Sequence, residues 1–168
     1  MYKIIGARGN IQNIDNFLKK IRELSDKNNV TIQVFNADLI YGDKHLISAY
    51  EHAARAIKQN RNTTNSLEME ILLYAAGERQ LKIAIPKMGI RKGKSNLALI
   101  AVSKDKKLDP VIKNLLREFN LERDDKLLEG NENTIKNFGL NKKEIETVNK
   151  NKYQDLILEK VALVDIIK

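Results

Sequence analysis

The sequence has no cysteine, only two prolines, and few aromatics: five Tyr and four Phe among 168 residues. Without cysteine there are no disulfides, no thiolate metal sites and no cysteine nucleophile. That absence fits an intracellular, cytoplasmic protein. No apolar run approaches the roughly 18 residues that a membrane span requires. The opening MYKIIGARGN turns polar too soon for a signal peptide and reads as a first strand. The Asn-x-Thr triplets at Asn29 and Asn62 therefore carry no expectation of glycosylation. Repeats, linkers and low-complexity tails are also missing, so residues 1–168 read as one domain, long enough to bury a core.

What is abundant is positive charge. Thirty Lys and Arg stand against 22 acids, a net charge of +8. Such a balance permits nucleic acid, acidic protein or an anionic membrane as partner, and it also arises from a Lys-, Ile- and Asn-rich composition with no partner in view. The distribution of the charge has to decide.

Periodicity gives the elements. Tyr2 to Ala7 is β-like. Ile14, Leu18, Ile21 and Leu24 repeat at helical spacing within Ile14 to Lys27. Val30 to Phe35 alternates Val30, Ile32 and Val34 with Thr31 and Gln33, the pattern of a half-buried strand. A helix follows from about Lys44 to Gln59, and LALIAV, Leu97 to Val102, is apolar enough to be a central strand. Pro110 suits the first turn of a helix reaching Phe119. Two short helices are expected around Ile135 and Ile145, and a last one over Tyr153 to Ile167. The sum is an α/β (α+β) domain, a small mixed or antiparallel sheet covered by about seven or eight helices.

SLEMEILLYAAGERQ, Ser66 to Gln80, is the most distinctive stretch. Asn65 can cap a helix here, with Glu68 reaching back in a capping box. From Met69 to Ala76 only Glu70 is polar, so the helix should be buried nearly all round. Gly77 can end it and open the next one. That next helix, Glu78 to Met88, should bury Leu81, Ala84, Ile85 and Met88, turn Arg79, Lys82 and Lys87 outward, and kink at Pro86. The segment is first a corner between helices and second a device that presents polar side chains beside a helix start.

Arg79, Lys82, Lys87, Arg91, Lys92 and Lys94 follow one another with no intervening acid. Together they can face phosphates as one patch, against the plainer reading of a solvated face. Within them GIRKGKS, Gly89 to Ser95, imitates a phosphate loop but has three residues between its glycines instead of four. It also follows a helix and opens a strand, the reverse of the required order. His45 and His52 lie seven apart with no third ligand, so packing or capping accounts for them better than zinc, and His45 keeps a minor RNA-facing option. No triad or carboxylate pair is evident, and no cofactor or metal is expected. The last helix is apolar on several sides, and any leftover face would mark a partner site.

FNADLIYGDKHLISAYEHAARAI, NSLEMEILLYAAGERQLKIAIPKMGI and the terminal LEKVALVDI resemble the small PRPK-binding, TPRKB-like subunit of the KEOPS complex. The likeness covers nearly the whole chain and is most specific at Ser66 to Gln80; His45 matches a histidine of the family. Pro86 and the basic IRKGK loop are less typical of it. The resemblance implies a non-catalytic protein that docks on a PRPK-like atypical kinase-ATPase and works beside a TsaD-like catalytic subunit. It implies recruitment of tRNA, by its single-stranded 3′ CCA end, for threonylcarbamoyladenosine formation. On that reading Arg79, Lys82, Lys87, Arg91, Lys92 and Lys94 hold RNA, Asn65 and Gly77 shape the adjoining pocket, and Val161, Val164 and Ile167 face the kinase. A small RNA-processing or nucleotide-using enzyme with a non-local active site, or a purely protein-binding scaffold, are the alternatives.

Overall fold

A computed structural model describes residues 1–168. The strands are β1 (Tyr2–Ile11), β2 (Thr31–Asn36), β3 (Gly93–Val102) and the two-residue β4 (Glu122–Arg123). They form one antiparallel sheet in the order β2-β3-β1-β4. Eight helices surround it: α1 (Ile14–Asn28), α2 (Gly42–Lys58), α3 (Leu67–Ala76), α4 (Leu81–Met88), α5 (Asp109–Glu118), α6 (Glu132–Phe138), α7 (Lys142–Glu146) and α8 (Tyr153–Ile167). The expected class and helix number hold, and β3 is central as its apolar run implied. The sheet is wholly antiparallel. Three short 3-10 turns and β4 had no sequence signal.

Both faces of the sheet are covered, giving three layers. On one face Ile5, Leu97 and Leu99 pack against Phe17 and Ile21 of α1 and Val111 and Leu115 of α5. On the other, Phe35, Ala98 and Ile100 meet Leu46 of α2, Ile71 and Leu73 of α3, and Ile157 and Val161 of α8. This changes the reading of β2. It is not half-solvated: Gln33, opposite Ile100, is buried as well, and its side-chain amide donates to the Val34 carbonyl at 3.1 Å. Alternation in β2 separates two cores rather than a core from water.

β1 and β3 pair over their full length, from Tyr2 opposite Val102 to Ile11 opposite Gly93. β2 reaches only Leu97 of β3, and β4 only Ala7 and Arg8 of β1. A two-stranded ribbon, Gly9–Ile11 with Gly93–Ser95, therefore extends past the four-stranded body.

Candidate nucleic-acid interface and partner surface

The corner after α3 is a fully capped helix end. Gly77, at φ 67°, takes the left-handed conformation that L side chains resist. Its N–H donates to the Tyr74 carbonyl and that of Glu78 to the Leu73 carbonyl, a Schellman turn. Two terminal carbonyls remain, and side chains supply them. His45 Nε2–H donates to Ala75 O at 2.8 Å, and Lys87 Nζ donates to Ala76 O at 2.7 Å. A helix C-terminus carries partial negative charge, which Lys87 also offsets.

This revises several expectations. His45 is wholly buried in α2; its Nδ1 accepts the Tyr41 N–H at 3.1 Å, so the ring is neutral and fully bonded. Burial pushes its pKa down to about 4, against the pull of the Ala75 carbonyl. It therefore faces no RNA. Lys87 lies over the Phe138 ring at 4.0 Å and near Glu78 at 3.5 Å, and is turned inward rather than toward phosphates. Gly77 packs closely against its neighbours: a Cβ there would lie 3.3 Å from Lys160 Cβ and 3.6 Å from Phe138. Asn65 is exposed but caps nothing: α3 begins after Ser66, whose side chain makes no cap bond. α4 likewise begins after Gln80, not Gly77, and Ile85 is 48% exposed instead of buried.

Glu70 explains the missing box. It is completely buried and accepts from the Thr63 and Thr64 backbone N–H groups, the Thr64 hydroxyl and Lys168 Nζ. One carboxylate thus wraps the turn before α3 and pins the end of α8. The lone acid in an apolar stretch was its only sequence signal.

The basic run divides in two. Arg79 and Lys82 are exposed at the start of α4, while Arg91, Lys92 and Lys94 are exposed beyond its end and on the ribbon. The eight residues of α4 put about 12 Å between the groups at ~1.5 Å per residue. None of these five side chains is in an ion pair. Gly89 closes α4 and Gly93 opens β3, so the phosphate-loop imitation has the strand after it, as expected.

α8 keeps its predicted bounds, but Val161 and Val164 are wholly buried in the core and offer no surface. Ile167 is 42% exposed and its neighbour Ile166 77%. Gln154 donates to the Tyr41 carbonyl, and His52 meets Asp165 at 2.6 Å. These contacts set α8 parallel to α2. Ile57, also exposed at the end of α2, therefore lies at the same end as Ile166 and Ile167. Asp165 receives the Tyr74 hydroxyl at 2.5 Å on its other oxygen. Burial raises the Asp165 pKa, but the bonds from Tyr74 and His52 outweigh it and hold the carboxyl ionised. The His–Asp pair is a pin between helices; the sequence placed His52 on α2 but not its partner.

No group of three or more His, Asp or Glu side chains is gathered as a metal would need, and no helix is long and apolar enough to cross a membrane. The family model for the kinase binding protein CGI-121 matches residues 9–165. The chain belongs to the CGI-121 family. The "Regulatory protein Cgi121" of Methanocaldococcus jannaschii is 29% identical over 145 residues, which are 81% of this chain and 84% of that protein.

Proposed function

We propose that this CGI-121 protein is a non-catalytic subunit of a KEOPS-type assembly. It docks on a PRPK-like kinase-ATPase in the cytoplasm and recruits tRNA by its single-stranded 3′ end for threonylcarbamoyladenosine formation by a TsaD-like partner. Family membership supports the kinase. The observation that carries the RNA half is the set of unpaired, exposed cations Arg91, Lys92 and Lys94 in a segment without acids. Free cations release counterions from phosphates when they bind, whereas paired ones first have to break their pairs.

For the kinase, the apolar end formed by Ile57, Ile166 and Ile167 is the best-suited surface. Ile166→Glu and Ile167→Glu should abolish capture of the kinase while leaving the melting temperature unchanged. Retained capture by both would move the docking surface elsewhere. For RNA, affinity for tRNA should fall steeply with salt, and removal of the CCA tail should weaken binding. Equal binding of tail-less tRNA refutes recognition of the 3′ end. ATP hydrolysis or metal-dependent RNA cleavage by the purified protein would refute the non-catalytic reading.

A further inference from the structure

β2 is an edge strand with one free side. The direction of its backbone groups follows from β1. There Gly6 turns both groups away from β3: its carbonyl accepts from Asp124 N–H and its N–H donates to Asp125. Neighbouring residues of a strand alternate in this respect, so Ile5 and Ala7 bond β3. Their partners Leu99 and Leu97 then face β1, and Ala98, Ile100 and Val102 face β2. Thr31, Gln33 and Phe35 are therefore the bonded residues of β2, while Ile32, Val34 and Asn36 point their N–H and C=O groups out of the sheet. No backbone bond from a turn or loop reaches Ile32 or Val34. Only the buried Gln33 amide folds over the edge, donating to Val34 O at 3.1 Å. That is the bond a neighbouring strand would make.

This edge is the floor of a groove of about 880 Å³. α1 forms one wall with Ile14 and Leu18, and α3 and α4 form the other with Met69 and Ile85. Leu18 is 40% and Ile85 48% exposed, whereas Ile32 and Val34 on the floor are each 4% exposed. Buried backbone groups require partners, and an extended chain returns donors and acceptors at the spacing of a strand. The walls also choose its side chains. Alternate residues of an added strand face α1 and α3–α4 in turn, as those of β2 do, so a short unbroken apolar run fits. The helices that recess the edge keep two copies of this chain from pairing through β2. Charge gives the groove a direction. Asp26, whose carbonyl accepts from Asn29 just ahead of β2, marks the Thr31 end. Arg91 precedes β3, whose Leu97 pairs with Asn36, and marks the other end. Glu68 and Arg22 line the groove as well, and none of these four charges is in an ion pair.

We propose that this groove docks an extended segment of a partner protein, which adds to β2 as a fifth, antiparallel strand. The segment carries three or four consecutive apolar residues, an acidic residue before them for Arg91 and a basic one after them for Asp26. Its backbone pairs with Ile32 and Val34 and displaces the Gln33 amide. The groove contains none of Ile57, Ile166 and Ile167, and of the exposed cations offered to RNA it takes only Arg91. It is therefore a further interaction surface, separate from the kinase and tRNA surfaces proposed above.

The test is titration of the full, isotope-labelled chain with the end-blocked peptide GEVVVVKG, read by amide NMR and hydrogen exchange. The peptide should bind and slow exchange at the Ile32 and Val34 amides by about tenfold or more. The same peptide N-methylated at its valines keeps its side chains but loses its donors, and should bind about tenfold more weakly or worse. The reversed-charge peptide GKVVVVEG should bind about threefold more weakly. Leu18→Asn and Ile85→Asn, both at exposed positions, should each weaken the peptide about fivefold with an unchanged thermal melt. No binding at about 1 mM peptide overturns the proposal. So does binding that leaves Ile32 and Val34 exchanging freely or that ignores N-methylation, because the peptide then sits elsewhere. Equal affinity for GKVVVVEG overturns the antiparallel orientation. Slowing of the same amides by raised protein concentration would make a second copy the occupant, and slowing by tRNA would make the groove an RNA surface. Loss of kinase capture in Leu18→Asn or Ile85→Asn would make it the kinase's seat. Each of these three also overturns the proposal.

Discussion

At the C-terminal end of α3, just before α4, the backbone carbonyls are all satisfied, while Arg79 and Lys82 beside them stay exposed. Four terminal carbonyls of α3 meet four donors, two from the Gly77 turn and one each from His45 and Lys87. At the other end of α4, Arg91, Lys92 and Lys94 stand in water with no partner. Both ends belong to one acid-free run of sequence, so charge density alone did not distinguish them. What separates them is the neighbour: α8 and α6 close over the first end, through Lys160 and Phe138, whereas Arg91, Lys92 and Lys94 at the second are exposed. A basic residue acts as ligand or as cap according to whether an orphan carbonyl lies within its reach.

The strongest test of the closed end is pH. His45 has a folded pKa near 4 against 6.5 for the free side chain. The unfolded chain thus binds a proton that the folded protein refuses, and stability falls as pH drops from 6.5 toward 4. At about 1.4 kcal/mol per unit this amounts to roughly 3 kcal/mol. Urea midpoints for His45→Gln should vary less over that range than those of the wild type. An identical pH slope would show that His45 is not held neutral.

Gly77→Val comes next. It forces a β-branched residue to positive φ beside Lys160 and should cost about 2–3 kcal/mol, without altering RNA affinity beyond the loss of folded protein. An unchanged melting temperature would mean that the turn tolerates a side chain.

The open end should respond in the opposite sense. Arg91→Glu with Lys92→Glu should leave the melt unchanged, weaken tRNA about tenfold or more, and flatten the salt slope by about two contacts. A stability loss in place of a binding loss would mean that these cations are structural.

The smallest effect is expected for Lys87→Met, which keeps the aliphatic stem over Phe138 but frees the Ala76 carbonyl. About 1 kcal/mol of stability should be lost, with tRNA affinity within about twofold of wild type. A tenfold loss of RNA binding in this variant would restore Lys87 to the ligand set and erase the difference between the two ends.

Local chemistry made much of this molecule legible. The long helices α1, α2, α5 and α8 announce themselves by apolar spacing, Gly77 by its place after an apolar helix, and the centrality of β3 by its unbroken apolar run. These depend on near neighbours in the chain, which is what a periodic pattern records. The functional assignments depended on distant ones. His45 and Ala75 are thirty residues apart, and Glu70 and Lys168 ninety-eight. Arg8 and Asn96 face each other only because β1 and β3 pair antiparallel in that register. Sequence determined that a basic segment, a buried helix and an apolar C-terminal helix exist. Tertiary structure alone decided that Val161 and Val164 turn inward, that Lys87 caps a helix, and that Arg8 and Lys94 share a face with Asn10, Asn96 and Glu122. A side chain's role is set by what its neighbours leave unsatisfied, and those neighbours are chosen by packing across the sheet.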